Sequence, residues 1–87
     1  MTPNEIFQNK AQFKVRKVEE EILLIPLNES LSPFPFSEIG SFIWDNIDGR
    51  NTENVIITSI MEAFEIDFKA AANEYDTFIE NVSKRIA

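Results

Sequence analysis

The side chains able to do chemistry in this 87-residue sequence are almost all carboxylates: there are 15 Asp and Glu, no His and no Cys. Without imidazole, the usual general base near neutral pH and the commonest metal ligand are missing. Without a thiol there is no disulfide framework, thiolate metal site or thiolate nucleophile. Two carboxylates can share acid–base work when a pocket gathers them. Here, however, Glu62, Glu65, Glu74, Asp76 and Glu80 fall off the apolar stripes of their segments, and Asp45 lies on the outer face of its own. The expectation is a protein that is not an enzyme, with no catalytic residue, no metal site and no cofactor. A net charge of −7 opposes nucleic acid, whose phosphates need clustered Lys and Arg. No apolar run approaches the roughly 20 residues of a membrane span. The opening MTPNEIFQNK also lacks the charged-then-apolar layout of a signal peptide. A cytoplasmic protein without membrane contact is expected.

The length suits one domain. Such a chain buries only about 60% of the surface its unfolded form exposes, so its core is small; eight Phe and 44% hydrophobic residues supply it. Residues 1–12 are polar apart from Ile6 and Phe7 and are expected to form a flexible arm, although Asn4 is able to cap a short turn. The domain then occupies residues 13–87. Phe13–Val18 alternates apolar and basic residues up to Val15 and slips phase by one at Val18, the pattern of a half-buried strand. Glu19-Glu20-Glu21 marks a solvated hairpin turn, with an acidic docking patch for a basic partner as the alternative. Ile22–Ile25 is a continuous apolar run, either a central strand covered on both faces or a buried strand ending at Pro26. Asn28-Glu29-Ser30 is turn chemistry. Leu31–Phe36 is the last extended segment, and Pro33 and Pro35 assign it to an edge of the sheet.

Helical spacing takes over at Ser37, whose hydroxyl can cap the amides that open a helix. Ile39, Phe42, Ile43 and Ile47, with Trp44 beside them, recur on one stripe until Asp48-Gly49 stops the run. Thr52 caps a second helix, Glu53–Phe64, with Ile56, Ile60, Ala63 and Phe64 on its apolar side. Asp67 caps a third, Phe68–Ile86, striped by Ala71, Tyr75, Phe78, Ile79, Val82 and Ile86. Three strands followed by three helices predict an α+β domain with helices packed on one side of a three-stranded antiparallel sheet.

Phe36-Ser37, Gly40, Ile43-Trp44, Asp48-Gly49 and Thr52, continued by Ile56, Ile60, Phe64, Asp67, Phe78 and Val82, resemble the PqqD family of small peptide chaperones, also called RiPP recognition elements. The resemblance implies a winged helix-turn-helix with its strands on the N-terminal side. It also implies a non-catalytic adaptor that binds the leader segment of a ribosomally made precursor peptide. The leader adds as an antiparallel strand to the third strand, in a groove walled by the last helix. The adaptor then presents it to a modifying enzyme, often a radical-SAM enzyme, in RiPP or PQQ biosynthesis. Carried onto this sequence, the peptide-binding residues are Leu31, Ser32, Pro33, Phe34, Pro35 and Phe36 on the strand, and Tyr75, Phe78, Ile79 and Val82 on the helix. Two features depart from the family pattern: Ser37 stands where Asn is usual, and two prolines interrupt the receiving strand. A winged-helix DNA-binding protein is the alternative reading. Arg50-Asn51 suits a groove contact, but Glu53, Glu62 and Glu65 follow it, and Lys69 is outnumbered by Glu74, Asp76 and Glu80.

Overall fold

A tight hairpin sets the sheet. In the computed structural model, which describes residues 2–27 and 33–85, β1 (Phe13–Val18) pairs antiparallel with β2 (Glu21–Pro26), from Phe13↔Pro26 to Val18↔Glu21. Only Glu19 and Glu20 separate the strands. Glu19 takes φ 57°, a positive φ of the kind that two-residue hairpin turns require. Glu has none of the freedom Gly would have there, so this connection carries strain. β3 (Phe34–Phe36) pairs antiparallel with the other side of β2, giving the order β1-β2-β3.

Register decides which face is buried, since paired residues share a face. Phe13, Leu24 and Pro26 are buried on one face, with Ile22, Phe34 and Phe36 half-buried beside them. Leu23 and Ile25 lie on the opposite face and are also half-buried. Each reading of the Ile22–Ile25 run holds in part: β2 is the central strand of the sheet, its core contact is on one face, and it ends at Pro26. Val18 pairs Glu21 without a break in the ladder.

Three helices follow the sheet, each opened by a short polar side chain. Ser37 Oγ accepts the Gly40 N–H at 3.0 Å and starts α2 (Glu38–Asn46). Thr52 Oγ1 accepts the Val55 N–H at 3.3 Å and starts α3 (Glu53–Phe64). Asp67 Oδ1 accepts the Ala70 N–H at 2.8 Å and starts α4 (Phe68–Ser83). The α2–α3 turn is held by Asp48, whose Oδ1 takes the amides of Arg50 and Asn51, each at 2.9 Å. The Asn51 and Arg50 amides hold the Asp48 carboxyl below its ordinary pKa. Gly49 in this turn has φ 85°, a conformation that glycine supplies without a steric penalty. The α4 register expected at Ile86 lies outside the described residues.

Residues 2–12 correct an expectation. They form a helix, α1 (Pro3–Asn9), and a 3-10 turn (Lys10–Gln12) rather than a flexible arm. Thr2 and Glu5 close a capping box, with Pro3 at the first helical position. The physical reason for order is burial: Ile6 is 1% exposed and belongs to the core. Phe7 lies against Gly49 so closely that a Cβ there would meet its ring at 2.8 Å. Lys10 Nζ donates to the Trp44 carbonyl at 2.7 Å and stands 4.9 Å from the Trp44 ring centroid. Burial lowers the Lys10 pKa, opposed by Asp45 and Asp48 nearby.

Trp44 joins the layers. It is 7% exposed, with Phe13 of β1 edge-on at 5.9 Å and Phe36 of β3 tilted at 5.8 Å between ring centroids. Ile43, Ile47, Ile56, Ile60, Ala71 and Val82 complete a core contributed by all three helices.

Candidate functional site

Among the described residues β3 pairs with β2 on one side and with no strand on the other. The open side can be read from the register. Leu23↔Pro35 is the middle pair of the β2–β3 ladder. An antiparallel ladder alternates hydrogen-bonded and non-hydrogen-bonded pairs, and Pro35 has no N–H to exchange. The bonded pairs are therefore Ile22↔Phe36 and Leu24↔Phe34, and Pro35 turns its carbonyl and its missing N–H to the open edge. Pro33 stands two residues earlier, where an extended chain directs its groups to the same edge. Ser37, extended at φ −75° and ψ 170°, directs its N–H to that edge as well, while its carbonyl accepts the Ser41 N–H at 2.9 Å. The edge thus offers mainly acceptors.

Beside this edge lies a cavity of about 200 Å³ between β3 and α4. Phe34, Pro35 and Phe36 form one wall; Glu74, Thr77, Phe78 and Asn81 form the other; Ser37 and Gly40 close one end. The four α4 residues follow i, i+3, i+4, i+7, one stripe of a helix. The Phe36 and Phe78 rings meet at 5.5 Å, and Phe34 packs edge-on against Phe36 at 5.3 Å. Gly40 permits the closeness of this end: a Cβ there would come within 3.3 Å of Ser37 Oγ and 3.6 Å of the Phe36 and Phe78 rings. At the far end the Arg85 guanidinium lies 4.1 Å from the Phe34 centroid, and its Nη1 donates to the Asn81 carbonyl at 2.9 Å. A larger hollow of about 790 Å³ runs along the first turns of α4, but Asp67 and α4 alone line it, so it lacks a second wall.

The site residues expected from the sequence separate into three groups. Phe34, Pro35, Phe36 and Phe78 line the cavity together. Pro33 is exposed just before β3, and Leu31 and Ser32 lie outside the described residues. Tyr75, Ile79 and Val82 do not line it; they are 2%, 8% and 0% exposed and belong to the core. In their place α4 presents Glu74, Thr77 and Asn81. Apolar periodicity leads to the core stripe, and the polar stripe beside it gave no signal of its own. Tyr75 has one further peculiarity. Among the described residues its buried hydroxyl has no hydrogen-bond partner. Burial, with the charges of Glu53 and Asp76, pushes its pKa up to about 12.

The family model described as coenzyme PQQ synthesis protein D (PqqD) matches residues 29–85, from the approach to β3 through the end of α4. The chain belongs to the PqqD family. Membership implies a partner-binding, accessory role in the biosynthesis of PQQ or related ribosomally made peptides. The matched segment contains every described residue that lines the cavity, whereas α1 and the β1–β2 hairpin lie before it. No curated protein matches the chain, and no solved structure does. Among the described residues no helix is long and apolar enough to cross a membrane.

Proposed function

We propose that this PqqD-family protein is a non-catalytic adaptor. It binds the leader segment of a precursor peptide as an added strand on β3 and presents it to a modifying enzyme, in the manner of radical-SAM peptide pathways. The observation that carries the reading is the juxtaposition of an open sheet edge with a walled cavity. Strand addition at an exposed edge is a recurring mode of peptide recognition, in which backbone bonds supply affinity and pockets supply specificity. The Pro35 carbonyl accepts from the visitor, and Ser37 donates to it. With so few ladder bonds, an apolar side chain seated against Phe36 and Phe78 supplies much of the binding. The DNA-binding reading finds no support in α3, whose sequence ENVIITSIMEAF contains no Lys or Arg. The test is a titration of isotope-labelled protein with the leader of the precursor encoded beside its gene. Amide shifts are expected at Phe34–Ser37 and along Glu74–Asn81, with none on adding duplex DNA. A saturating titration that leaves both segments unmoved removes the adaptor reading.

A further inference from the structure

The groove has a charge polarity. Arg85 lies over Phe34, and Phe78 meets Phe36 and approaches Gly40, so α4 runs opposite to β3 along the cavity. Glu74 therefore stands at the Ser37 end and Arg85 at the Phe34 end. Among the described residues the one ion pair joins Lys84 to Glu80, and neither groove charge is engaged in another. Between them the cavity walls are aromatic or uncharged: Phe34, Phe36, Phe78, Thr77 and Asn81.

We infer that the groove selects a peptide by the order of its charges: a basic residue, then an apolar anchor, then an acidic residue, reading from its N-terminus. The inference rests on the antiparallel strand-addition reading. A strand antiparallel to β3 enters at Ser37 and leaves at Phe34, so its N-terminal side meets the Glu74 carboxylate and its C-terminal side meets the Arg85 guanidinium. The span from residue 74 to residue 85 of a helix is about 16 Å, or some five residues of strand. Even spacing keeps side chains on one face, so charges four residues apart, with the anchor midway and their own length added, fit the groove. Glu74 and Arg85 are thus specificity-determining residues.

The probes are two capped peptides of one composition. One reads Thr-Val-Lys-Thr-Leu-Thr-Glu-Val-Thr, and in the other Lys and Glu change places. Exposed charge pairs are individually weak, so the Lys-first peptide should bind roughly five- to tenfold more tightly at low salt. The gap should narrow in 0.5 M salt as screening sets in. In the double variant Glu74→Lys, Arg85→Glu the preference should invert, with its melting curve confirming that it is folded. Equal affinities, or a preference for the Glu-first peptide, overturn the charge-order inference while leaving strand addition intact. If neither peptide moves the Phe34–Phe36 amides at millimolar concentration, strand addition at this edge fails together with it.

Discussion

At one edge of the sheet, β1 turns the intact amides and carbonyls of Val15 and Lys17 outward; at the other, β3 turns out Pro35, a carbonyl without an amide. The β1 assignment follows from Phe13↔Pro26, which cannot be a bonded pair because Pro26 lacks an N–H, so the alternate residues face away from β2. Counted by ladder groups alone, six-residue β1 is the better template for a visiting strand than three-residue β3. Yet β1 lines no part of the cavity that stands beside β3. Its side chains include Lys14, Arg16 and Lys17, and with Lys10 the short stretch up to Lys17 holds four of the eight cations in the chain. Lys on an edge strand is a familiar way to discourage unwanted pairing. β3 has lost donors and gained a cavity. A proline-trimmed edge pairs poorly with an arbitrary strand, so the proposed strand partner must also fill the cavity. On the strand-addition proposal, selectivity at β3 follows from that scarcity of backbone bonds.

The largest expected effect breaks both edges at once. Trp44 touches Phe13 of β1 and Phe36 of β3, and Trp44→Ala should cost about 3–5 kcal/mol, a large share of the stability of so small a domain. Chemical denaturation measures this, and wild-type stability would remove Trp44 as the joint. Next is Gly49→Val. A β-branched residue at φ 85°, driven into the Phe7 ring, should lose about 2–3 kcal/mol and loosen α1. Hydrogen exchange at Ile6 checks where the loss falls. Thr77→Trp separates the edges. Its exposed position on α4 allows the indole to occupy the cavity, so leader affinity should drop more than tenfold with the melting temperature nearly unchanged. The charge reversals Lys14→Glu and Arg16→Glu on β1 should leave leader affinity within about twofold, and a large loss would move the site to the other edge. The smallest effect is a gain: Glu19→Gly relieves the left-handed residue of the hairpin and should stabilise the fold by about 1 kcal/mol.

Much of the fold was legible because it is written in local chemistry. Ser37, Thr52 and Asp67 each stand before a helix and each caps it. Pro33 and Pro35 are excluded from a central strand, and β3 is at the edge. α1 had a signal too: Thr2 and Glu5 have capping-box spacing with Pro3 between them, but two isolated apolar residues gave no stripe. What made the segment fold was a tertiary contact, Ile6 entering the core, that no spacing announces. The groove was half legible for a related reason. A strand's edge position follows from its own residues, whereas the face that α4 turns to β3 depends on how its core stripe seats against α2 and α3. Seating Tyr75, Ile79 and Val82 inward rotates Glu74, Thr77 and Asn81 towards the strand.

The lone hydroxyl of Tyr75 gives this protein an intrinsic ultraviolet reporter. The chain has one Tyr and one Trp, so the tyrosinate band that grows near 295 nm on alkaline titration comes from a single residue. An unfolded chain ionises near pH 10, whereas the folded one holds its proton until about pH 12. The sign follows: the contribution of the protonated Tyr75 hydroxyl to stability is intact below pH 10 and is lost as pH rises from 10 to 12, because only the native state then retains the proton. Two units correspond to a loss of roughly 2–3 kcal/mol at most. Stopped-flow mixing into alkaline buffer should therefore show absorbance that develops at the rate of unfolding, a label-free clock for how often the α4 stripe leaves its seat.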